Sequence, residues 1–323
     1  MRQAGRYMRE YRDVRIRVGF LELCKTPSLA AEVTVTAAER LGVDAAIIFA
    51  DILLILEPMG LNLEFTKGDG PIIHNPVRSS LSVETLHEVE DVGALDFVFE
   101  AIKQTRAALR NDLPLIGFSG APFTLASYMV EGGASKNYVH TKSMMYNDAG
   151  AWRQMMSLIS RALVKYLNAQ IHAGAQAVQL FDSWVGALGA DDYREFVLPY
   201  TRSVIQGINH GTPVIHFGTG TAALLELMRD GGGDVIGLDW RVPLDEGWRR
   251  VGHEVGIMGN LDPVTLFANQ QELFKRAGNI LDAAGGRPGH IFNLGHGILP
   301  DTPVENVKAL VEFVHESSAK QNA

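Results

Sequence analysis

Cysteine is almost absent: Cys24 is the one thiol in 323 residues, which excludes an intrachain disulfide and any zinc site built on two thiolates. Cys24 itself reads as a small core or helix residue. No run approaches the roughly 18 consecutive apolar residues of a membrane helix, and Met1-Arg2-Gln3-Ala4-Gly5-Arg6 runs into charge rather than an apolar secretory segment. A cytoplasmic protein with no membrane partner is therefore the expectation. Positive charge is in deficit, with a formal net charge of -8, which argues against a nucleic-acid partner. Charge of either sign is sparse, 20% of residues against 46% hydrophobic, so the chain can bury a large core. No linker, repeat or composition break divides it, and residues 1–323 are expected to form a single domain.

What is present is an alternation. Short apolar runs bounded by Gly, Pro or Asp recur between amphipathic segments, as in a parallel sheet with crossover helices. Seven strands are predicted: Asp44–Ala50, Pro114–Phe118, Ala177–Phe181, Pro213–Phe217, Asp234–Leu238, Gly256–Gly259 and His290–Leu294. Helices are predicted at Ser28–Leu41, Val83–Arg110, Ala151–His172, Asp191–His210 and Thr221–Met228, with two further starts at Asp262-Pro263 and Thr302-Pro303. No Gly-x-Gly-x-x-Gly follows the first strand, which disfavours a dinucleotide fold. The expected class is α/β, a (β/α)8 barrel whose first strand lies mostly upstream of Met1. Leu61–Val77, centred on Gly68-Asp69-Gly70, reads as an inserted hairpin.

Catalytic groups of such barrels sit just beyond the C-terminal ends of the strands, where the βα loops converge. The candidates in chain order are Asp51; Ser119, Gly120 and Tyr128; Asp182 and Ser183; Gly218-Thr219-Gly220-Thr221; Asp239; Asn260; and His296. A strand-end Asp or Ser also serves as a helix cap, and His296 between two glycines also serves as a turn residue. The Gly-Thr-Gly-Thr segment suits either a plain turn or an anion cradle at a helix N-terminus. One concentration of cations stands out: Arg2, Arg6, Arg9, Arg12, Arg15 and Arg17. They suit a solvated helix face or a site for an anionic ligand.

The opening Met1-Arg2-Gln3-Ala4-Gly5-Arg6-Tyr7-Met8-Arg9-Glu10-Tyr11-Arg12 resembles the N-terminal motif of the uroporphyrinogen decarboxylase family. Phe118-Ser119-Gly120-Ala121-Pro122-Phe123-Thr124-Leu125, with Tyr128, Glu131 and Gly132, resembles its second motif. Ile48-Phe49-Ala50-Asp51-Ile52-Leu53, Leu180-Phe181-Asp182-Ser183-Trp184 and Asn293-Leu294-Gly295-His296-Gly297 match as well, so the likeness runs from Met1 to about Val314. It implies a homodimeric barrel enzyme, free of cofactor and metal, that converts uroporphyrinogen III to coproporphyrinogen III in haem synthesis. By the same likeness Arg2, Gln3 and Arg6 belong to a substrate-binding loop, and Asp51 faces the pyrrole nitrogens. Tyr128, Ser183 and His296 are further polar contacts, and Phe181 is an apolar wall. The family normally continues upstream through a Pro-x-Trp strand of roughly twenty residues, and that stretch is not part of this sequence.

These residue types suit that chemistry. Loss of carbon dioxide from an acetate needs an electron sink. A pyrrole protonated at the carbon beside the acetate-bearing carbon supplies one itself. A fixed carboxylate, Asp51, then stabilises positive charge that arises only along the reaction path. Guanidinium forks, Arg2 and Arg6, orient a substrate with eight carboxylates. Arg2, directly or through water, and His296 are the two candidates for proton donor. Two other functions compete. A zinc-dependent corrinoid or thiol methyltransferase of the same barrel superfamily needs thiolate chemistry, yet Val214-Ile215-His216-Phe217-Gly218 puts no cysteine beside His216. A non-catalytic tetrapyrrole-binding homologue predicts loss of Asp51 or the arginines, and all are present.

Overall fold

A computed structural model describes residues 3–66 and 70–321. Seven strands form one parallel sheet: β1 (Ala46–Ile47), β4 (Leu115–Gly120), β5 (Ala177–Asp182), β6 (Val214–Gly218), β7 (Val235–Gly237), β8 (Gly256–Leu261) and β9 (His290–Leu294), in the order β1-β4-β5-β6-β7-β8-β9. The other two, β2 (Leu63–Thr66) and β3 (Gly70–Ile73), are the antiparallel hairpin, whose tip at 67–69 lies outside the described residues. All seven predicted strands occur, each parallel to its neighbours. Among the described residues no strand pairs with the outer edges of β1 and β9. The observed sheet is thus curled and seven-stranded, one strand short of the ring expected from the sequence.

Other elements bridge that gap. Gln3 sets its carboxamide against the open edge of β1, Nε2 donating to the Ala45 carbonyl (2.7 Å) and Oε1 accepting the Ile47 N–H (3.0 Å). It thereby satisfies the two backbone groups that a neighbouring strand would pair. Ala4, Tyr7, Met8, Tyr11 and Val14 are buried in one cluster with Leu261, Phe292 and Leu294 at the β8–β9 end, so the N-terminal segment packs across the opening. The last helix, Val304–Gln321, packs on Pro27–Leu41, and His315 pairs with Asp44 at 2.9 Å.

Strand side chains alternate between the two faces. Ile116, Phe181, Ile215, Phe217, Val235 and Met258 pack together inside the curl. Leu180, Asp182 and His216 face the helices instead, His216 lying against Gly231 and Gly233. Most of the apolar interior lies in this helix-facing layer, with Trp152, Tyr166 and Trp248 fully buried. Cys24 is part of it, and burial raises its thiol pKa far above the usual value.

Four helical predictions need correction. Val83–Arg110 is not continuous: after Ser80–Glu84 the chain leaves the helix, His87 N–H bonds to Met59 O, Asp91 accepts Gly93 N–H at 2.8 Å, and the helix resumes at Asp96–Ala108. Asp191–His210 breaks at Val197, just before Pro199, into Ala190–Phe196 and Leu198–Gln206, because proline has no N–H to continue the ladder. Asp262-Pro263 opens only a 3-10 turn, Pro263–Phe267; the long helix Gln270–Ala284 starts later, capped by Asn269. The helix predicted from Thr221 is delayed to Leu225–Gly231.

Candidate active site

A parallel sheet places the ends of all its strands on one face, and most of the predicted polar residues are there. Asp51 follows β1. Its Oδ1 accepts the Leu53 N–H at 2.9 Å, opening a 3-10 turn at Leu54–Leu56 whose three side chains are fully buried, as is Leu53. That bond to the Leu53 N–H, next to a fully buried turn, holds the partly buried carboxylate in place. Arg6 is exposed in the N-terminal segment, which is pinned by Arg12 donating to the Arg6 and Tyr7 carbonyls at 2.8 and 3.0 Å. The Arg6 guanidinium makes no hydrogen bond or ion pair among the described residues. Arg2 lies outside the described residues. Both ends of the Gln3 carboxamide bind the backbone at β1.

The β4–β5 corner is tightly built. The helix Pro122–Glu131 follows β4, and Thr124 in its first turn donates to Asp182 Oδ1 (2.8 Å) while accepting the Trp184 N–H (3.2 Å). Trp184 stacks on Tyr128, one turn along the same helix, with ring centroids 3.8 Å apart, and meets Tyr138 edge-on at 5.3 Å. Ser183 sits between Asp182 and Trp184, its carbonyl held by Thr219 Oγ1. Thr124, not singled out from the sequence, thus fixes two candidate contacts, Tyr128 and Ser183. Asp182 itself points away from the mouth. It is fully buried, its Oδ2 has no partner among the described residues, and burial pushes its pKa up to about 7. Phe181 stands on the inner face in an edge-to-face row with Phe118 (5.5 Å) and Phe217 (6.0 Å).

On the far side, the Gly218–Thr221 segment is no open anion cradle. The Gly220 N–H is taken by the carboxylate of Asp239, which follows β7. Asn260, within the C-terminal end of β8 rather than beyond it, donates to the Asp239 and Val242 carbonyls at 2.8 and 2.6 Å and so braces the same loop. His296, exposed after β9, meets Trp240 edge-on at 6.2 Å. Gly295 is required there: a Cβ would lie 2.4 Å from Trp240 N. His216, the residue beside which a zinc-site thiolate was sought, is buried against the helix Leu225–Gly231, away from the mouth, and burial lowers its pKa to about 4.

The family model for uroporphyrinogen decarboxylase (URO-D) matches residues 1–317. The chain belongs to that family. It is 56% identical over 316 residues to the uroporphyrinogen decarboxylase of Sorangium cellulosum (strain So ce56), covering 98% of this chain and 90% of the relative. It is 55% identical over 322 residues to that of Koribacter versatilis (strain Ellin345), covering 99% and 92%. Among solved structures, a methyltransferase from Methanosarcina mazei superposes with a TM-score of 0.80 at 22% identity over 97% of this chain and 93% of its own. A B12-independent methionine synthase from Shewanella sp. W3-18-1 gives 0.63 at 12% identity over 94% and 92%. At such identities the two structures speak for the fold alone.

Proposed function

We propose that the chain is a carboxy-lyase that removes the four acetate carboxylates of uroporphyrinogen III, giving coproporphyrinogen III in porphyrin and haem synthesis. Family membership across residues 1–317 is the observation that carries this reading. The methyltransferase alternative loses support because the one thiol, Cys24, is buried in the core and His216 is buried against the helix Leu225–Gly231.

In this reading the tetrapyrrole lies over the strand ends, against the Phe181 wall, with pyrrole N–H groups toward Asp51. Arg2 and Arg6 bind carboxylates and set which ring is presented, while Tyr128, Ser183 and His296 hold others by hydrogen bonds. A proton from Arg2, through water, or from His296 goes to the ring carbon beside the acetate-bearing carbon. The ring becomes cationic, and the C–CO2 bonding pair flows into it as carbon dioxide departs. Protonation of the exocyclic carbon and loss of the ring proton restore the pyrrole and leave a methyl group. Asp51 lowers the barrier because its charge faces a cation present only on the path. Gln3 serves this scheme through the backbone of β1.

The reading includes a homodimer. Val264, Phe267 and Leu299 are exposed on the loops after β8 and β9, whose inward residues Leu266 and Ile298 share one cluster, so an apolar patch borders the mouth. Sedimentation of the purified chain decides between one copy and two. The activity is tested by anaerobic incubation with uroporphyrinogen, oxidation, and separation of porphyrins by carboxyl number. The expected products carry seven down to four carboxylates; unchanged octacarboxylate would overturn the proposal.

A further inference from the structure

We infer that Arg241 is a further carboxylate anchor of the same site, binding a carboxylate of the tetrapyrrole at the β7 side of the mouth. The inference rests on the decarboxylase reading. Asp239, with its side chain 1% exposed, accepts both the Arg241 backbone N–H (2.9 Å) and Arg241 Nη1 (2.6 Å). The guanidinium lies on the face of Trp240, with Cζ 4.0 Å from the ring centroid. Its backbone, one nitrogen and one flat face are therefore fixed, yet the side chain remains 51% exposed. Nε and Nη2, the side-on edge that binds a carboxylate through two parallel bonds, make no hydrogen bond among the described residues.

A surface arginine usually wanders, and holding it on a ligand costs side-chain entropy. Here that ordering is complete before any ligand arrives, which is the condition for an efficient anion contact. Trp240 links this cation to the rest of the site, because its other contact is the ring of His296. Gly295 presses the His296 loop against the Trp240 backbone, so the two loops cannot part without a rearrangement. Beside Arg241 a cleft of about 560 Å³ runs from Trp240 and Asn260 outward to the helix Gln270–Ala284, where Asn279 and Ile280 line it. The acidic residues lining it, Asp245 and Asp262, disfavour an anion elsewhere in the cleft and leave Arg241 as the place to hold one. Arg276, the other cation there, gives its Nε to Glu272 at 2.7 Å, so its side-on edge is taken, whereas Arg241 spends only Nη1 on Asp239. A substrate with eight carboxylates, only four of which react, offers propionates for this purpose.

The test compares wild type, Arg241→Gln and Arg241→Lys on uroporphyrinogen, with thermal melts of each. A contact made equally in ground and transition states raises KM and leaves kcat nearly unchanged. Arg241→Gln is expected to raise KM on the order of tenfold with kcat within about twofold, since a charged hydrogen-bonded partner is lost. Arg241→Lys should recover only part of this, because an ammonium lacks the fork. Should Arg241→Gln fail to fold, Arg241→Lys decides, with a raised KM at unchanged kcat expected. An unchanged KM in a folded variant would overturn the inference, as would a fall in kcat alone. Wild type inactive on uroporphyrinogen removes the decarboxylase reading itself; active wild type with indifferent variants removes only Arg241.

Discussion

The charged rim of the site and its β4–β5 corner are built on opposite principles. On the rim, Asp51, Arg6, Arg241 and His296 stand on separate loops, each held by its own local contacts: a 3-10 turn, a pair of carbonyls, a carboxylate with an indole, a glycine-bordered turn. In the corner, Asp182, Thr124, Trp184 and Tyr128 form one continuous chain of contacts, and the groups that hold it together are buried. Charge stands on the loops at the strand ends, and in the corner buried contacts fix the Tyr128 and Trp184 rings. Rim substitutions should therefore alter turnover or affinity at nearly constant stability. Corner substitutions should alter stability first.

The sharpest test of that division is Asp51→Asn. Asparagine keeps the Oδ1 acceptor for the Leu53 N–H but removes the charge, so a loss of about 10²–10³ in kcat is expected, roughly 2.7–4 kcal/mol, with binding less affected. Near-normal turnover in a folded variant would reduce Asp51 to a capping residue. Asp51→Glu keeps the charge and displaces it by a methylene, and should be impaired by misplacement alone.

A second test uses pH. The folded pKa of Asp182 is raised from 3.8 to about 7, so its contribution to stability is present below the unfolded value and is lost as pH rises toward 7. The folded pKa of His216 is lowered from 6.5 to about 4, so its contribution is present above 6.5 and is lost as pH falls toward 4. Between these limits the slopes oppose, each at most about 1.4 kcal/mol per pH unit. Melting midpoints should then be nearly flat in wild type, fall with rising pH in His216→Leu, and rise in Asp182→Asn. Parallel profiles for all three would show that neither group titrates as described.

Smaller effects follow. Thr124→Val removes the donor to Asp182 Oδ1 and the acceptor for Trp184 N–H, and should lower stability by about 1–3 kcal/mol in a denaturant titration, with KM rising more than kcat falls. A large kcat loss at unchanged stability would place Thr124 on the rim instead. Dialysis against a chelator should leave turnover unchanged, because a protonated pyrrole is its own electron sink; activity lost and then restored by zinc would overturn that mechanism.

Much of this was legible before any coordinates. The seven parallel strands, the hairpin insert and the positions of Asp51, Ser183 and His296 at strand ends follow from alternating apolar runs with Gly, Pro and Asp at their borders. Helix boundaries were less legible, because the break at Val197 and the departure after Glu84 depend on Pro199 and on a bond to Met59 remote in sequence. Arg241 was overlooked although Asp239-Trp240-Arg241 stands at a strand end. The usable signal was an acid and an arginine two residues apart across an aromatic ring.

Local chemistry alone determined which segments become strands, which residues stand at their ends, and the family, since these depend on side-chain period, turn residues and motif identity along the chain. Tertiary structure alone decided which of those residues turn into the core and which stand open at the strand ends. Asp182 and Asp51 look alike in sequence, each an aspartate after a buried strand, yet one turns to the helices and the other lies at the sheet edge beneath the N-terminal segment. Gln3 and Arg6 share a motif, yet one is bound to the edge of β1 and the other is exposed. The direction of a side chain at a strand end is set by the partner it meets across the fold, and that partner lies tens of residues away.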